Sequence, residues 1–175
     1  MDDDRRVNEL VKECIRQAES CAYTGANLYI WQKRASMWRA SFLVVPIIAA
    51  GFSTSQLFTD KLATYGKILA TFSGLLAGFF PTIFIALNMD MRVMEIARSA
   101  AEFTNLRDRF RQAANVSRYS PYDEFKTEFE ALMDRMDAIR TSAPPAPDWC
   151  FRETQKKMNK GDYTFTVDEQ PPNAG

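Results

Sequence analysis

Histidine is absent from this 175-residue chain, so the side chains left to do chemistry are three cysteines, the arginines and the carboxylates. Cys14, Cys21 and Cys150 match no metal-ligand spacing, and without histidine a Cys/His zinc site is not expected; no metal is assigned. Their odd number suits thiols kept reduced in a cytoplasmic setting. Asp and Glu are plentiful but lie among Lys and Arg on helix faces, and no phosphate-cradling glycine loop, nucleophile elbow or Cys/His pair occurs. The chain therefore reads as a non-enzyme with no cofactor. Arg107, Arg109 and Arg111, with Arg118 beyond them, could hold an anion such as a nucleotide phosphate, although such a run is more often a solvated helix face.

The global composition resembles that of a soluble domain: 22 Lys and Arg against 22 Asp and Glu, and 25% charged residues. A net charge of zero gives no basic footprint, and no nucleic-acid partner is expected. Position tells a different story. Residues 40–59 and 68–89 contain no Asp, Glu, Lys or Arg, and each run as a helix would cover roughly 30 Å, the hydrocarbon thickness of a bilayer. Only residues 60–67 separate them, and the rest of the chain would have to wrap both if they were a soluble core. The first run begins too deep for a signal peptide and has no small-residue cleavage site after it. Lys33, Arg34 and Arg39 precede the first run and Arg92 and Arg98 follow the second, against Lys61 and Lys67 between them, so both termini are expected in the cytoplasm.

The expected fold class is an all-α membrane protein: a two-span transmembrane helical hairpin with long cytoplasmic helical extensions and a small C-terminal helical module. Residues 4–39 form the first extension, since Val7, Val11, Cys14, Ala18, Cys21, Gly25, Leu28, Gln32 and Ala35 follow a small-sided heptad seam. Residues 40–89 form the hairpin, with spans 40–59 and 68–89 and loop 60–67. Residues 90–141 return as cytoplasmic helices: Val93, Ile96, Ala100, Phe103, Leu106 and Phe110 continue the pattern without interruption past Met89. Ser117, Ser120 and Pro121 read as a turn, and Tyr122, Phe125, Phe129, Leu132, Met136 and Ile139 mark a further amphipathic helix. The prolines at 144, 145 and 147 stop it. Residues 148–167 hold a short helix, with Asp148 as its N-cap, and an extended tail; residues 168–175 are expected to be disordered.

Within the spans Gly66, Ala70, Gly74 and Gly78 recur every four residues, and Ala49 and Ser53 answer on the first span. Small residues let helix backbones approach in lipid, first within the hairpin and second between protomers, so a homo-oligomer is expected. No charge lies inside either run, which removes the strongest sign of a proton relay or coupled transporter. At the cytoplasmic mouth an antiparallel pair would bring Arg39 level with Asp90, and Arg34 with Glu95 further out.

Trp31 and Trp38 with Arg34 and Arg39 entering the first span, the stretch Glu102, Phe103, Thr104, Asn105, Leu106, Arg107 after the second, and the proline-interrupted tail resemble the SLATT family. These are SMODS- and SLOG-associating two-span effector domains of bacterial conflict systems, and the likeness covers roughly residues 5–165. It implies a multi-pass protein of the bacterial inner membrane that forms pores or disrupts the bilayer in an anti-phage, abortive-infection type response. Its implied partners are the lipid bilayer, copies of itself, and a cyclic-nucleotide signal or a nucleotidyltransferase-linked protein. The family has no catalytic residues to carry over, and this chain has no recognisable nucleotide-sensing domain. The alternative is a non-conducting, membrane-anchored scaffold that recruits a soluble signalling partner through residues 122–139 and the tail around Trp149 and Phe151.

Overall fold

A computed structural model describes residues 2–54 and 65–159, and the chain is all-α, with no strand among the described residues. Helix α1 spans Asp2–Thr54, α2 Tyr65–Ala86, α3 Met89–Asn115, α4 Tyr122–Ser142 and α5 Asp148–Asn159, with a 3-10 turn at Ser117–Tyr119. The chain divides into two compact units, one built from residues 1–32 with 95–175 and the other from residues 33–94. The loop 60–67 lies largely, and the extended tail 160–167 with the terminus 168–175 wholly, outside the described residues.

The first unit is a bundle of α1, α3, α4 and α5 whose apolar residues point inward. The heptad seam of α1 is its buried face: Val11, Cys14, Ala18, Cys21 and Leu28 are all buried. Helix α3 contributes Ile96, Ala100, Phe103, Leu106 and Phe110, and α4 contributes Phe125, Leu132 and Met136. Each large side chain so removed from water contributes roughly 1.5–3 kcal/mol. At Gly25 α1 lies close against α3: a Cβ there would meet Phe103 Cβ at 3.6 Å and the Ala100 carbonyl at 3.7 Å. Cys21 Sγ lies 3.7 Å from Met136 Sδ, tying α1 to α4 through polarisable sulfurs. The Phe110 and Phe129 rings meet edge to face at 6.1 Å.

Local signals set the helix limits. Pro121 precedes α4, Asp123 and Glu124 sit in its first turn where the helix dipole favours acids, and the Ala143 amide closes it by donating to the Ile139 carbonyl at 2.7 Å. Pro144 and Pro145 then forbid continuation. Helix α5 begins at Asp148, and the Cys150 amide donates to the Pro147 carbonyl at 2.9 Å. Two contacts dock it on α1. The Tyr23 and Phe151 rings meet edge to face at 5.3 Å, and fully buried Thr154 lies 3.2 Å from the Asn27 side-chain amide while donating to the Cys150 carbonyl at 3.0 Å.

The second unit holds the last part of α1, all of α2 and the first turn of α3. The pattern past Met89 is not continuous helix. Asn88 adopts φ 47°, the left-handed region that asparagine tolerates better than any residue but glycine. The Leu87 amide donates to the Ile83 carbonyl and the Asn88 amide to the Ile85 carbonyl, both at 3.0 Å, which ends α2. The Arg92 amide donating to the Asn88 carbonyl at 3.2 Å opens α3. The sequence expectation of one uninterrupted helix is corrected here: an unremarkable asparagine supplies the break.

Candidate functional site: the apolar hairpin and its charged mouth

Among the described residues of 33–94 the usual distribution of apolar side chains is reversed. Ile47, Phe72, Phe79, Ile85 and Met94 are each exposed to between 61% and 72%, and Leu43, Val44, Ile48, Ile68, Leu75, Ile83 and Leu87 are exposed as well. Among the residues of this unit whose burial is described, Val93 is the one large hydrophobic that is buried, together with Pro46 and Ser73. A water-exposed apolar patch of this extent is foreign to a soluble monomer.

The two long helices of the unit meet along Phe42, Pro46 and Ala49 on α1 and Ser73, Ala77, Phe80 and Phe84 on α2, the less exposed positions of each. The Phe42 and Phe80 rings lie 5.2 Å apart at 44°. Nearer the mouth Arg39 Nε lies 2.5 Å from Asp90 Oδ1, so that 39 meets 90 and 42 meets 80, the order an antiparallel pair requires. Both partners of the ion pair are about half exposed, and such a pair contributes under about 1 kcal/mol. Arg34 and Glu95 are both exposed, but Glu95 belongs to the other unit.

The small-residue stripe does not make the hairpin contact. Gly74 and Gly78 are exposed, and a Cβ added to either would meet nothing within 4 Å; the same holds for Gly51 on α1. That part of the expectation is corrected. The contact face of α2 is turned about 100° from the glycines, one residue along, at Ser73 and Ala77. Ala49 is half-buried, whereas the side chains of Gly66, Ala70 and Ser53 lie outside the described residues. Ser73, Ala77, Phe80 and Phe84 follow a 4, 3, 4 spacing that the sequence did offer, but in a run where almost every neighbour is apolar the seam has no polar face to contrast with. Two hydroxyls satisfy themselves on their own helix, Ser41 donating to the Met37 carbonyl at 3.0 Å and Thr82 to that of Gly78 at 3.3 Å.

The arginines of α3 do not converge. Residues two apart on a helix are turned about 200°, so Arg109 leaves the side shared by Arg107 and Arg111. Arg107 is taken up by Asp108, with Nε at 2.9 Å and Nη2 at 2.8 Å from its Oδ1, and Arg109 Nη1 approaches Gln112 Oε1 at 3.5 Å. A cross-helix ion pair that the sequence did not announce links α3 to α4, Arg135 Nε donating to Glu102 Oε1 at 2.6 Å. It borders a cleft of about 490 Å³ that mixes Glu95, Arg98, Glu102 and Arg135, without a predominant sign of charge.

All three cysteines are buried and none is in a disulfide. Burial pushes the Cys14 thiol up to about 12, helped by the carboxylates of Glu128 and Glu13, and the Cys21 thiol to about 11 against the pull of Arg140. Cys14 and Cys21 are packing residues and poor nucleophiles. Among the described residues no group of three or more His, Cys, Asp and Glu side chains is placed to hold a metal ion.

Among the described residues no single helix is long and apolar enough to cross a membrane; Thr71–Ala86 and Met89–Tyr119, bent by 46° at the Asn88 break, reach that measure together. The run 40–59 extends past Thr54, the last described residue of α1. In comparisons with known proteins the chain matches no family model, no curated protein and no solved structure.

Proposed function

We propose that residues 33–94 enter the bilayer as a two-span helical hairpin, and that several copies assemble into a pore-forming or membrane-disrupting effector. The observation that carries this reading is the reversal of apolar side chains between the units: inward in the bundle, outward in the hairpin. An outward apolar surface is stable where the solvent is lipid. The bundle supports two crossings rather than one. It joins residues 1–32 to residues beyond 94, so a segment between them that enters the membrane must return to the side it left. With the flanking Lys and Arg, that side is the cytoplasm.

Two helices enclose no water path, so conduction requires copies. The exposed Gly51, Gly74 and Gly78, open to a distance of 4 Å, support close approach of a second hairpin. The SLATT resemblance adds the setting: the inner membrane of a bacterium, a nucleotide signal or its synthase as trigger, and arrest of the infected cell as outcome.

The test is ion flux from liposomes containing the full chain, with and without candidate cyclic nucleotides. The wild type is expected to release trapped ions in at least one condition, and Gly74→Leu and Gly78→Leu to abolish release while remaining inserted. Inserted wild-type protein that never conducts would replace this reading with the scaffold.

A further inference from the structure

We propose that α5 is a releasable strap on the bundle: it leaves α1 as one unit, swinging on residues 143–147, while α1, α3 and α4 stay packed. The inference does not depend on the membrane reading of residues 33–94.

The strap is held by little apolar area. Among the described side chains of α5, those of residues 148–157, Cys150 and Thr154 are buried, Trp149 is half-buried and the others are exposed. Helix α3 buries Ile96, Phe103, Leu106 and Phe110, and α4 buries Phe125, Leu132 and Met136. The free energy that opposes a local opening follows the apolar surface it uncovers, so α5 is the first of these helices to leave. A helix of 12 residues has little stability once undocked, so it docks and leaves whole.

Its seat is also imperfect. The Tyr23 ring meets Phe151 edge to face at 5.3 Å, and its Oη is buried without a hydrogen-bond partner among the described residues. Parting the rings gives that hydroxyl back to water, an advantage only the released state has. Asn27 shares the one hydroxyl proton of Thr154 with the Cys150 carbonyl of α5 itself, at 3.2 Å and 3.0 Å. Thr154 therefore stays satisfied when α5 leaves. The linker suits a swing as well. The Ala143 amide closes α4 on the Ile139 carbonyl, and the Cys150 amide closes the first turn of α5 on the Pro147 carbonyl, so neither helix end relies on the other. Pro144, Pro145 and Pro147 cannot be drawn into α4, and a linker of five residues reaches at most about 18 Å, which keeps a released strap beside its seat.

The cysteines report the event separately. Cys14 and Cys21 belong to the α1 seam, Cys21 against Met136 of α4, whereas Cys150 leaves with the strap. With the full chain in detergent micelles and iodoacetamide at pH 8, Cys150 should be alkylated about tenfold faster or more than Cys14 or Cys21, read peptide by peptide by mass spectrometry. Its rate should be nearly flat in low urea, since little surface opens, while theirs climbs steeply as global unfolding approaches. Tyr23→Phe should slow Cys150 about five-fold, and Asn27→Ala and Phe151→Ala should each speed it by about that factor. Where a variant does not fold, amide hydrogen exchange of the wild type decides, with residues 152–157 opening together and ahead of residues 96–110. Early alkylation of Cys150 in this order supports the strap. Alkylation of Cys150 no faster than the other two, one urea dependence shared by all three, exchange of α5 no earlier than α3, or a Tyr23→Phe protein with an unchanged Cys150 rate overturns it.

Discussion

Burial governs the single residues whose behaviour can be forecast. The folded bundle favours the neutral thiols of Cys14 and Cys21, whose ordinary value is 9.0 and whose folded values are about 12 and about 11. The folded chain therefore keeps protons that the unfolded chain releases near pH 9. The associated stability is complete below that pH and is lost as pH rises toward 12. Denaturation midpoints should accordingly be flat to pH 8 and fall above 9, and neither thiol should react with an alkylating reagent at pH 8 until the bundle is unfolded. Tyr23 presents the opposite case, a buried Oη with no hydrogen-bond partner among the described residues, its pKa raised by desolvation. Tyr23→Phe keeps the ring contact with Phe151 and removes the orphaned group, and should raise stability by about 1 kcal/mol in thermal or denaturant unfolding. The cysteines could be placed on the core face from their seven-residue spacing. Asn27 and Thr154 could not be paired, because nothing in the local sequence connects polar residues 127 positions apart.

At the scale of elements, two positions decide how helices end and approach. At Gly25 the groups facing a Cβ are at ordinary contact distance, the nearest Thr104 Oγ1 at 3.5 Å. Gly25→Ala should therefore stabilise the bundle by about 0.5–1 kcal/mol through reduced backbone entropy, whereas Gly25→Leu should part α1 from α3 and lower the melting temperature. Asn88 holds the turn between α2 and α3 at φ 47°. Asn88→Gly should preserve the break at equal or greater stability, and Asn88→Val should cost about 1–2 kcal/mol or straighten the junction, which a spin-label distance across residues 80 and 94 would register. Helices α4 and α5 were legible almost to the residue, because proline and alternating three- and four-residue steps mark them. The break at Asn88 was not: the apolar pattern runs straight through it, and left-handed tolerance is a property of asparagine that periodicity does not carry.

The molecule as a whole is two solutions of one packing problem, and only one of them was fully legible. Net charge, composition and a mean hydropathy of −0.29 average the bundle and the hairpin into an ordinary soluble profile. The charge-free runs separate them, yet which face of each run meets its neighbour was misjudged at the glycines. Gly74→Leu and Gly78→Leu fill open space, so they should leave helix content and the Phe42–Phe80 contact intact while abolishing cross-linked oligomers in detergent or lipid. The bundle's makeup carries one more consequence. Its contacts join residues 115 to 127 positions apart, Cys21 to Met136, Ser20 to Arg140 and Asn27 to Thr154, with the hairpin lying in the chain between them. A nascent chain that sent its hairpin across the bilayer once would strand these partners on opposite sides and leave Phe110 and Phe125 uncovered, ready for a protease. On the proposed membrane reading the bundle would proofread insertion, since only a chain that has come back could close it.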